Sequence, residues 1–318
     1  MKMEVIKVTP RGFCEGVIWA LKIAVDAAYD ETIPRPIYIL GNIVHNRFIS
    51  QSLDKLGLIT IEDKSKSRLE LLDLIDKGTV IFTAHGVSDE VVQKAHDKNL
   101  YIINATCKYV HKTNDYIKEK VNNGYDVIYI GKKNHPEPEG AIGKNKDKVH
   151  LIETLEDLDK LHIDNNKIVI TNQTTMSYWD VEQLAKEIQK RYPQAKFTNE
   201  ICNATQVRQE AVLKKAIHAD VTIVVGDPLS NNSNKLAYIS ETMAHTKAYM
   251  VETVEDINPE WLKDCKTVAV TSGASTPTAI TNEVIQFLEQ FDYHDPSTHF
   301  RKSNLTFENI LPFIRNNK

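Results

Sequence analysis

The chain has 318 residues, of which 42% are hydrophobic and 26% are charged, and its formal net charge is −4. This composition is typical of globular proteins with two to three domains. A net negative charge argues against a nucleic-acid-binding protein. The start, Met1 to Val5, lacks the apolar segment of a signal peptide, and no run of about eighteen apolar residues occurs. We therefore expect a cytoplasmic protein that does not enter a membrane.

Cysteine spacing gives the first sign of an internal repeat. Cys14, Cys107 and Cys202 each follow a short apolar run and precede a helical pattern, at separations of 93 and 95 residues. The chain therefore looks like one strand–cysteine–helix unit used three times. Because there is no C-x-x-C pair and no secretion signal, neither a local zinc site nor disulfides are favoured. We expect the fourth cysteine, Cys265, to be a structural thiol.

The repeat divides the chain into units at residues 1–99, 100–195 and 196–290, with a tail at 291–318. Strands alternate with helical patterns in each unit, which predicts an α/β fold with small, mostly parallel sheets. We expect the tail to dock on its own chain, and an oligomer contact is the alternative. Its apolar residues are Leu305, Phe307, Ile310, Leu311, Phe313 and Ile314.

Polar residues follow the strands at similar offsets from each cysteine. A first loop, 28 to 31 residues after the cysteine, contributes His45, His135 and Ser230. A second loop, 67 to 73 residues after it, contributes His85, Thr174 and Ser275. Ligands of parallel sheets bind beyond the carboxyl ends of the strands. We therefore expect these side chains, with Asn232, to converge on a pocket for a multiply charged anion, bound without a Walker loop.

Glu137 and the three cysteines are the candidates for chemistry. Glu137 lies between two prolines beside His135, where a carboxyl group could deliver protons to a leaving hydroxyl. An exposed loop carboxylate is the alternative, and Glu139 is the competing candidate. Cysteines at helix starts suit iron and sulfide, because the helix end favours anionic sulfur. Since a cubane cluster normally takes four cysteines, three would leave one iron open to substrate.

Seven motifs resemble those of the 4-hydroxy-3-methylbut-2-enyl diphosphate reductase family. They occur in family order and the resemblance runs from about residue 4 to residue 288. The motifs begin at Arg11-Gly12-Phe13-Cys14, Ala84-His85-Gly86, Ala105-Thr106-Cys107, His135-Pro136-Glu137, Gln173-Thr174-Thr175, Ile201-Cys202 and Gly273-Ala274-Ser275.

The resemblance implies a trefoil of three α/β domains around a central [4Fe-4S] cluster held by Cys14, Cys107 and Cys202. It implies reductive dehydration of an allylic diphosphate to isopentenyl and dimethylallyl diphosphates, the last step of the methylerythritol phosphate route to isoprenoids. Electrons would come from a ferredoxin or flavodoxin, and the protein would be a monomer or weak homodimer.

The resemblance also implies roles for the polar residues. Glu137 would be the proton source, with His135 and Thr174 beside the substrate hydroxyl. The remaining substrate contacts would be His45, His85, Ser230, Asn231, Asn232 and Ser275. Asn231 stands where the family usually has a serine, and an asparagine amide can still donate to a phosphate oxygen.

Two other functions are open at this point. A non-redox dehydratase would use an open iron only as a Lewis acid, and it would turn over without a reductant. A zinc- or phosphate-binding protein would use the same cysteines and polar loops without catalysis, and it would be colourless with stoichiometric zinc.

Overall fold

The computed structural model describes residues 3–311. Its strands are β1 (Glu4–Lys7), β2 (Ile37–Leu40), β3 (Leu58–Ile61), β4 (Thr79–Phe82), β5 (Tyr101–Asn104), β6 (Asp126–Ile130), β7 (Val149–Ile152), β8 (Ile168–Asn172), β9 (Lys196–Phe197), β10 (Val221–Val225), β11 (Lys247–Val251) and β12 (Thr267–Ser272). Its α-helices are α1 (Glu15–Tyr29), α2 (Arg47–Lys55), α3 (Arg68–Leu71), α4 (Asp89–Asp97), α5 (Lys108–Asn122), α6 (Pro136–Ile142), α7 (Leu155–Lys160), α8 (Tyr178–Arg191), α9 (Asn203–Ala216), α10 (Asn231–Thr242), α11 (Thr278–Gln290) and α12 (Phe307–Ile310). Short 3₁₀ helices span Leu72–Leu74, Val254–Asp256, Pro259–Leu262 and Pro296–His299. Within residues 3–311, no helix has the length and apolar character needed to cross a bilayer.

One compact unit consists of Met1–Glu15, His45–Ser52 and Asn203–Lys318. Its sheet has the order β1-β12-β10-β11, and all of its strand pairs are parallel. Every residue of β10 is buried, as expected for a central strand covered on both faces by crossover helices. Helices α9, α10 and α11 pack against this sheet. The carboxyl ends of β10 and β12 lead directly into the loops before α10 and α11.

The other compact unit consists of Gly16–Val44 and Leu53–Cys202 and contains two parallel sheets. Their strand orders are β3-β2-β4-β5 and β7-β6-β8-β9. Helix α8 shows why the chain folds this way locally. Its buried residues recur at helical spacing and join the core of the second sheet, and the Ser177 hydroxyl caps it by accepting from the Asp180 amide.

These sheets confirm the predicted α/β fold with small parallel sheets. They are offset by one strand from the sequence repeat, because β5 and β9 pair with the sheets of the segments before them and β1 pairs with the sheet of the last segment. Thus β5 pairs with β4, β9 pairs with β8, and β1 pairs with β12. Each cysteine therefore follows an edge strand. The repeat boundaries at 99/100 and 195/196 stay a prediction.

The tail is described as far as residue 311, and it packs on its own chain there. Phe291 is buried and stacks on His299, with ring centroids 4.8 Å apart. The Arg301 guanidinium donates to the Ile257 carbonyl, and Ile310 is buried. This is the expected docking. Phe313 and Ile314, which belong to the same predicted apolar cluster, lie outside the described residues.

Candidate functional site

The three repeat cysteines are anchored through their backbones in the same way. A tight turn follows β4, β8 and β12, and it closes with an N–H to C=O bond across residues 83–86, 173–176 and 273–276. The cysteine amide then donates to the carbonyl of the second turn residue. The three bonds join Cys14 to Ala274 (3.1 Å), Cys107 to Ala84 (3.0 Å) and Cys202 to Thr174 (3.1 Å). The cysteines therefore occupy equivalent local positions.

None of the four cysteines is in a disulfide. Cys14, Cys107 and Cys202 are partly buried, are not joined in disulfides and stand directly before α1, α5 and α9. Cys107 is the N-cap of α5, and its side chain makes no capping bond. The Cys265 thiol instead donates to the Trp261 carbonyl at 3.5 Å, and burial raises its pKa. Cys265 is thus kept as a neutral thiol in the fold, in agreement with the structural role expected for it.

The turns also correct the alignment of the second polar loop. The third turn residue is His85 after β4, Thr175 after β8 and Ser275 after β12. Thr174 is the second residue, so it corresponds to an alanine in the other two turns. Sequence offsets missed this by one residue, because the segments between each cysteine and its turn differ in length.

Glu137 lies in the first turn of α6 and is buried, with only 3% of its surface exposed. Its carboxylate accepts two bonds from Thr174, one from the backbone N–H at 2.7 Å and one from the hydroxyl at 3.2 Å. Since the Thr174 carbonyl also accepts from the Cys202 amide, Thr174 links the carboxyl group to the segment that bears Cys202. Glu137 is therefore not the exposed loop carboxylate of the alternative reading.

The environment of Glu137 raises its pKa from the ordinary 4.5 to about 7. Burial is the largest cause, because it disfavours the charged form. The Thr174 amide and hydroxyl and the Tyr129 hydroxyl act in the opposite direction. Sequence analysis did not single out Tyr129. The sequence feature that could have indicated it is a tyrosine within the apolar strand that precedes His135.

Two histidines lie next to the helix turn that bears Glu137. His135 is the N-cap of α6, and its Nδ1 accepts from the Glu137 amide at 3.2 Å. His85 contacts His135 edge to face, with ring centroids 5.4 Å apart, and the Thr83 hydroxyl lies 3.4 Å from its Nδ1. The capping bond makes Nδ1 of His135 the acceptor, so Nε2 carries the proton in the neutral ring. The ring of His135 is therefore held against the start of α6.

In the unit that contains β10, polar groups gather at the start of α10. Ser230 is the N-cap, and its hydroxyl accepts from the Ser233 amide at 3.3 Å. Asn231 and Asn232 follow, and both are nearly buried. Neither polar atom of the Asn232 amide has a hydrogen-bond partner among residues 3–311. A buried amide without hydrogen-bond partners lowers the stability of the fold. Such an amide therefore marks a place where a polar ligand would bind favourably.

The loops around α10 pack too closely for larger residues. A Cβ atom at Gly273 would lie 2.0 Å from the Ser233 hydroxyl, and one at Gly226 would lie 2.3 Å from it. These two glycines therefore let the turns after β10 and β12 approach the start of α10. The Ser275 hydroxyl, in the second of those turns, donates to the His45 carbonyl at 3.0 Å.

The predicted site residues thus fall into two groups. The unit with two sheets brings together His85, His135, Glu137 and Thr174 and carries Cys107 and Cys202. The unit with one sheet brings His45 to Ser275, and it also carries Cys14, Ser230, Asn231 and Asn232.

Comparisons with known proteins show which family the chain belongs to. The family model described as "LytB protein" matches residues 5–289. The 4-hydroxy-3-methylbut-2-enyl diphosphate reductase of Anoxybacillus flavithermus is 58% identical over 98% of this chain and 99% of its own. The enzyme of the same name from Geobacillus sp. strain WCH70 is 56% identical over 99% and 100%.

Solved structures give the same result. The E-1-hydroxy-2-methyl-but-2-enyl-4-diphosphate reductase of Plasmodium falciparum superposes with a TM-score of 0.84 at 31% identity, covering 99% of both chains. A second structure, (E)-4-hydroxy-3-methyl-but-2-enyl diphosphate reductase, the terminal enzyme of the non-mevalonate pathway, has a TM-score of 0.61 at 33% identity. It covers 89% of this chain and 98% of its own. The chain therefore belongs to the LytB protein family.

Proposed function

We propose that this protein is an oxidoreductase that converts 4-hydroxy-3-methylbut-2-enyl diphosphate to isopentenyl and dimethylallyl diphosphates. The reaction breaks the allylic C–O bond, consumes two electrons and two protons, and releases the hydroxyl group as water. Relatives at 56% and 58% identity carry the name of this enzyme over nearly the whole chain. The proposal adds specific roles for the residues described above.

The raised pKa of Glu137 is the observation that carries the mechanism. A carboxyl group with a pKa of about 7 is protonated in a large fraction of molecules near neutral pH, as a proton donor must be. Burial also keeps bulk water from exchanging freely with it. The two bonds from Thr174 fix the carboxyl group, and His135 caps the helix turn that bears it. Glu137 would deliver a proton to the departing hydroxyl, with His135 and Thr174 orienting that end of the substrate.

The chemistry of Cys14, Cys107 and Cys202 fits an iron-sulfur cluster. Thiolate sulfur is the ligand that iron-sulfur clusters take, and each of these cysteines has the same backbone anchor and stands at a helix start. When bound, a [4Fe-4S] cluster with three cysteine ligands would supply the electrons and an open iron for the substrate oxygen. The chain would contribute these three cysteines as ligands, while the thiol of the fourth cysteine, Cys265, donates to the Trp261 carbonyl.

The diphosphate end of the substrate is assigned to the α10 start. An N-terminus of a twelve-residue helix favours negative charge. The Asn232 amide, which has no partner among residues 3–311, and the Ser230 hydroxyl can donate to phosphate oxygens without adding charge. The Ser275 hydroxyl could do the same if it exchanged the His45 carbonyl for a phosphate oxygen. Asn231, His45 and His85 complete the set implied by the family motifs. A ferredoxin or flavodoxin as electron donor, a cytoplasmic location and a monomer or weak homodimer stay predictions.

The test is an anaerobic assay of purified protein with its visible spectrum recorded. We expect brown protein that forms both five-carbon diphosphates only when a low-potential reductant is present. Loss of water without reductant would indicate the dehydratase instead. Colourless protein that iron and sulfide cannot reconstitute would refute the role of the three cysteines.

The role of Glu137 is tested in the same assay with two variants. Glu137→Gln should retain the cluster spectrum and substrate binding but lose most turnover. Glu139→Gln is the matched control, because Glu139 lies on the same helix and its carboxylate accepts from the Arg68 amide at 2.9 Å. Near-normal turnover of Glu137→Gln, or an equal loss in both variants, would remove Glu137 from this role.

A further inference from the structure

The Tyr129 hydroxyl is a buried polar group that the proposed mechanism does not use. Tyr129 lies on β6 and is fully buried in an apolar cluster with Ile117, Ala141, Val149 and Val169. Its hydroxyl makes no hydrogen bond of standard geometry to any of residues 3–311. Buried tyrosine hydroxyls usually have a partner, so this one needs an explanation.

The packing places the Tyr129 ring beside the first turn of α6, which bears Glu137. A Cβ atom at Gly131 would lie 2.8 Å from the Tyr129 ring and 3.0 Å from Pro138. The ring therefore fills the space next to Gly131, and Pro138, the residue after Glu137, borders the same space. After burial, the charge of Glu137 is the main cause that raises the pKa of Tyr129. The phenol and the carboxyl group are thus neighbours in a site from which water is excluded.

The bonds that Glu137 already makes leave room for this donor. Thr174 supplies one donor to each carboxylate oxygen, and each oxygen of an ionised carboxylate can accept more than one hydrogen bond. A protonated carboxyl group needs the phenol less, because its charge is absent. The phenol can therefore act as a further donor to this carboxylate when Glu137 loses its proton.

We propose that Tyr129 is a positioning residue whose hydroxyl donates to the Glu137 carboxylate when Glu137 is ionised. It stabilises the state left after proton delivery and holds the carboxylate in place until a proton returns. The importance of this state for turnover rests on the proposed function, whereas the contact itself does not.

Other titratable groups around Glu137 are already engaged. His135 accepts from the Glu137 amide, and His85 packs against His135. Glu139, on the same helix, accepts from the Arg68 amide. Beyond the end of α6, Lys144 is paired with Asp89 (2.6 Å), and Lys118 of α5 is paired with the same carboxylate (3.3 Å).

The test is Tyr129→Phe, which removes the hydroxyl and keeps the ring. The carboxyl stretch of Glu137 is followed by infrared difference spectroscopy as a function of pH in cluster-loaded protein, and Glu137→Gln assigns the band. We expect the pKa of Glu137 to rise by about 1 pH unit or more, because a hydrogen bond to a charged group is lost. Since a proton donor must be protonated, the alkaline limb of kcat/KM should move upward by the same amount, with KM little changed.

Tyr192→Phe is the matched control. Tyr192 is also buried, and its hydroxyl donates to the Leu161 carbonyl at 3.1 Å. This variant should leave the titration of Glu137 unchanged. An unchanged or lowered pKa of Glu137 in Tyr129→Phe, or equal shifts in both variants, would overturn the proposal.

If Tyr129→Phe does not fold, a second measurement on the wild-type protein tests the proposal. Labelling the wild-type protein with 3-fluorotyrosine makes every phenol a stronger donor without removing one, so the pKa of Glu137 should fall. An unchanged or raised value would overturn the proposal. Because these titrations are read spectroscopically, they stand even if the protein fails to reduce the diphosphate, and that failure would refute only the proposed function.

Discussion

Glu137→Gln should change how the stability of the protein depends on pH. The pKa of Glu137 is about 7 in the folded protein against an ordinary 4.5 in the unfolded chain. Because the pKa is raised in the folded protein, the carboxyl group does not oppose folding below the unfolded pKa, where it is protonated in both states. Stability is lost as pH rises through 4.5 toward 7. Between about pH 5 and about pH 8, the free energy of unfolding of the wild-type protein should therefore fall by about 2 to 3 kcal/mol because of this one group.

The variant has no carboxyl group at this position, so it should not show this loss. Urea unfolding of cluster-free protein, followed by circular dichroism, gives the free energy of unfolding for both proteins at the two pH values. The difference between wild type and Glu137→Gln should move by about 2 to 3 kcal/mol in favour of the variant at the higher pH. Glu139→Gln controls for the loss of a carboxyl group on the same helix. A difference that does not change with pH would refute the reasoning that burial raises the pKa of Glu137.

Three further predictions concern the other parts of the site. Gly273→Ala should lower the free energy of unfolding by about 1 to 3 kcal/mol, because its Cβ atom would meet the Ser233 hydroxyl at 2.0 Å; adding Ser233→Ala should restore part of the loss, and an additive double variant would contradict this contact. Asn232→Leu should raise KM for the diphosphate by about tenfold or more while stability in urea is unchanged or slightly higher; an unchanged KM would exclude the amide from binding. Cys107→Ser should lose the visible absorbance of the cluster in reconstituted protein and Cys265→Ser should keep it, so equal spectra would contradict the assignment of ligands.

The local pattern of the sequence was sufficient for several features of the fold. Alternating apolar strands and helical segments predicted small parallel sheets, because side-chain periodicity is a property of the backbone itself. The spacing of Cys14, Cys107 and Cys202 predicted three equivalent positions, and their backbone bonds to the turns after β12, β4 and β8 agree. The first polar loop keeps one spacing along the sequence. Its histidine or serine stands four residues after the glycine that ends each strand in all three copies.

The motifs carried the family assignment, because they are contiguous stretches that the sequence displays directly. The alignment of individual residues between the three copies was less accurate, because it relied on residue counts along the chain and not on contacts. Thr174 was placed in register with His85 and Ser275, whereas the turn bonds put Thr175 there. The helices and connections between a cysteine and its turn differ in length among the three copies. The number of residues after the cysteine therefore does not fix which residue takes a given position in the turn.

Tertiary structure decided what the sequence left open. Whether Glu137 was an exposed loop carboxylate or a buried acid depended on which groups pack around it, and the bonds from Thr174 cross 37 residues of chain. The phenol of Tyr129 could be recognised as its neighbour only once β6 and α6 were placed together. Sheet membership was also undetermined, because β5 and β9 carry no local mark of the strand that they pair with. Sequence by itself determined the alternation of strands and helices, the spacing of the three cysteines and the family, since these depend on neighbours along the chain. Burial, and with it the pKa of Glu137, depends on neighbours in space, so only the folded chain could decide it.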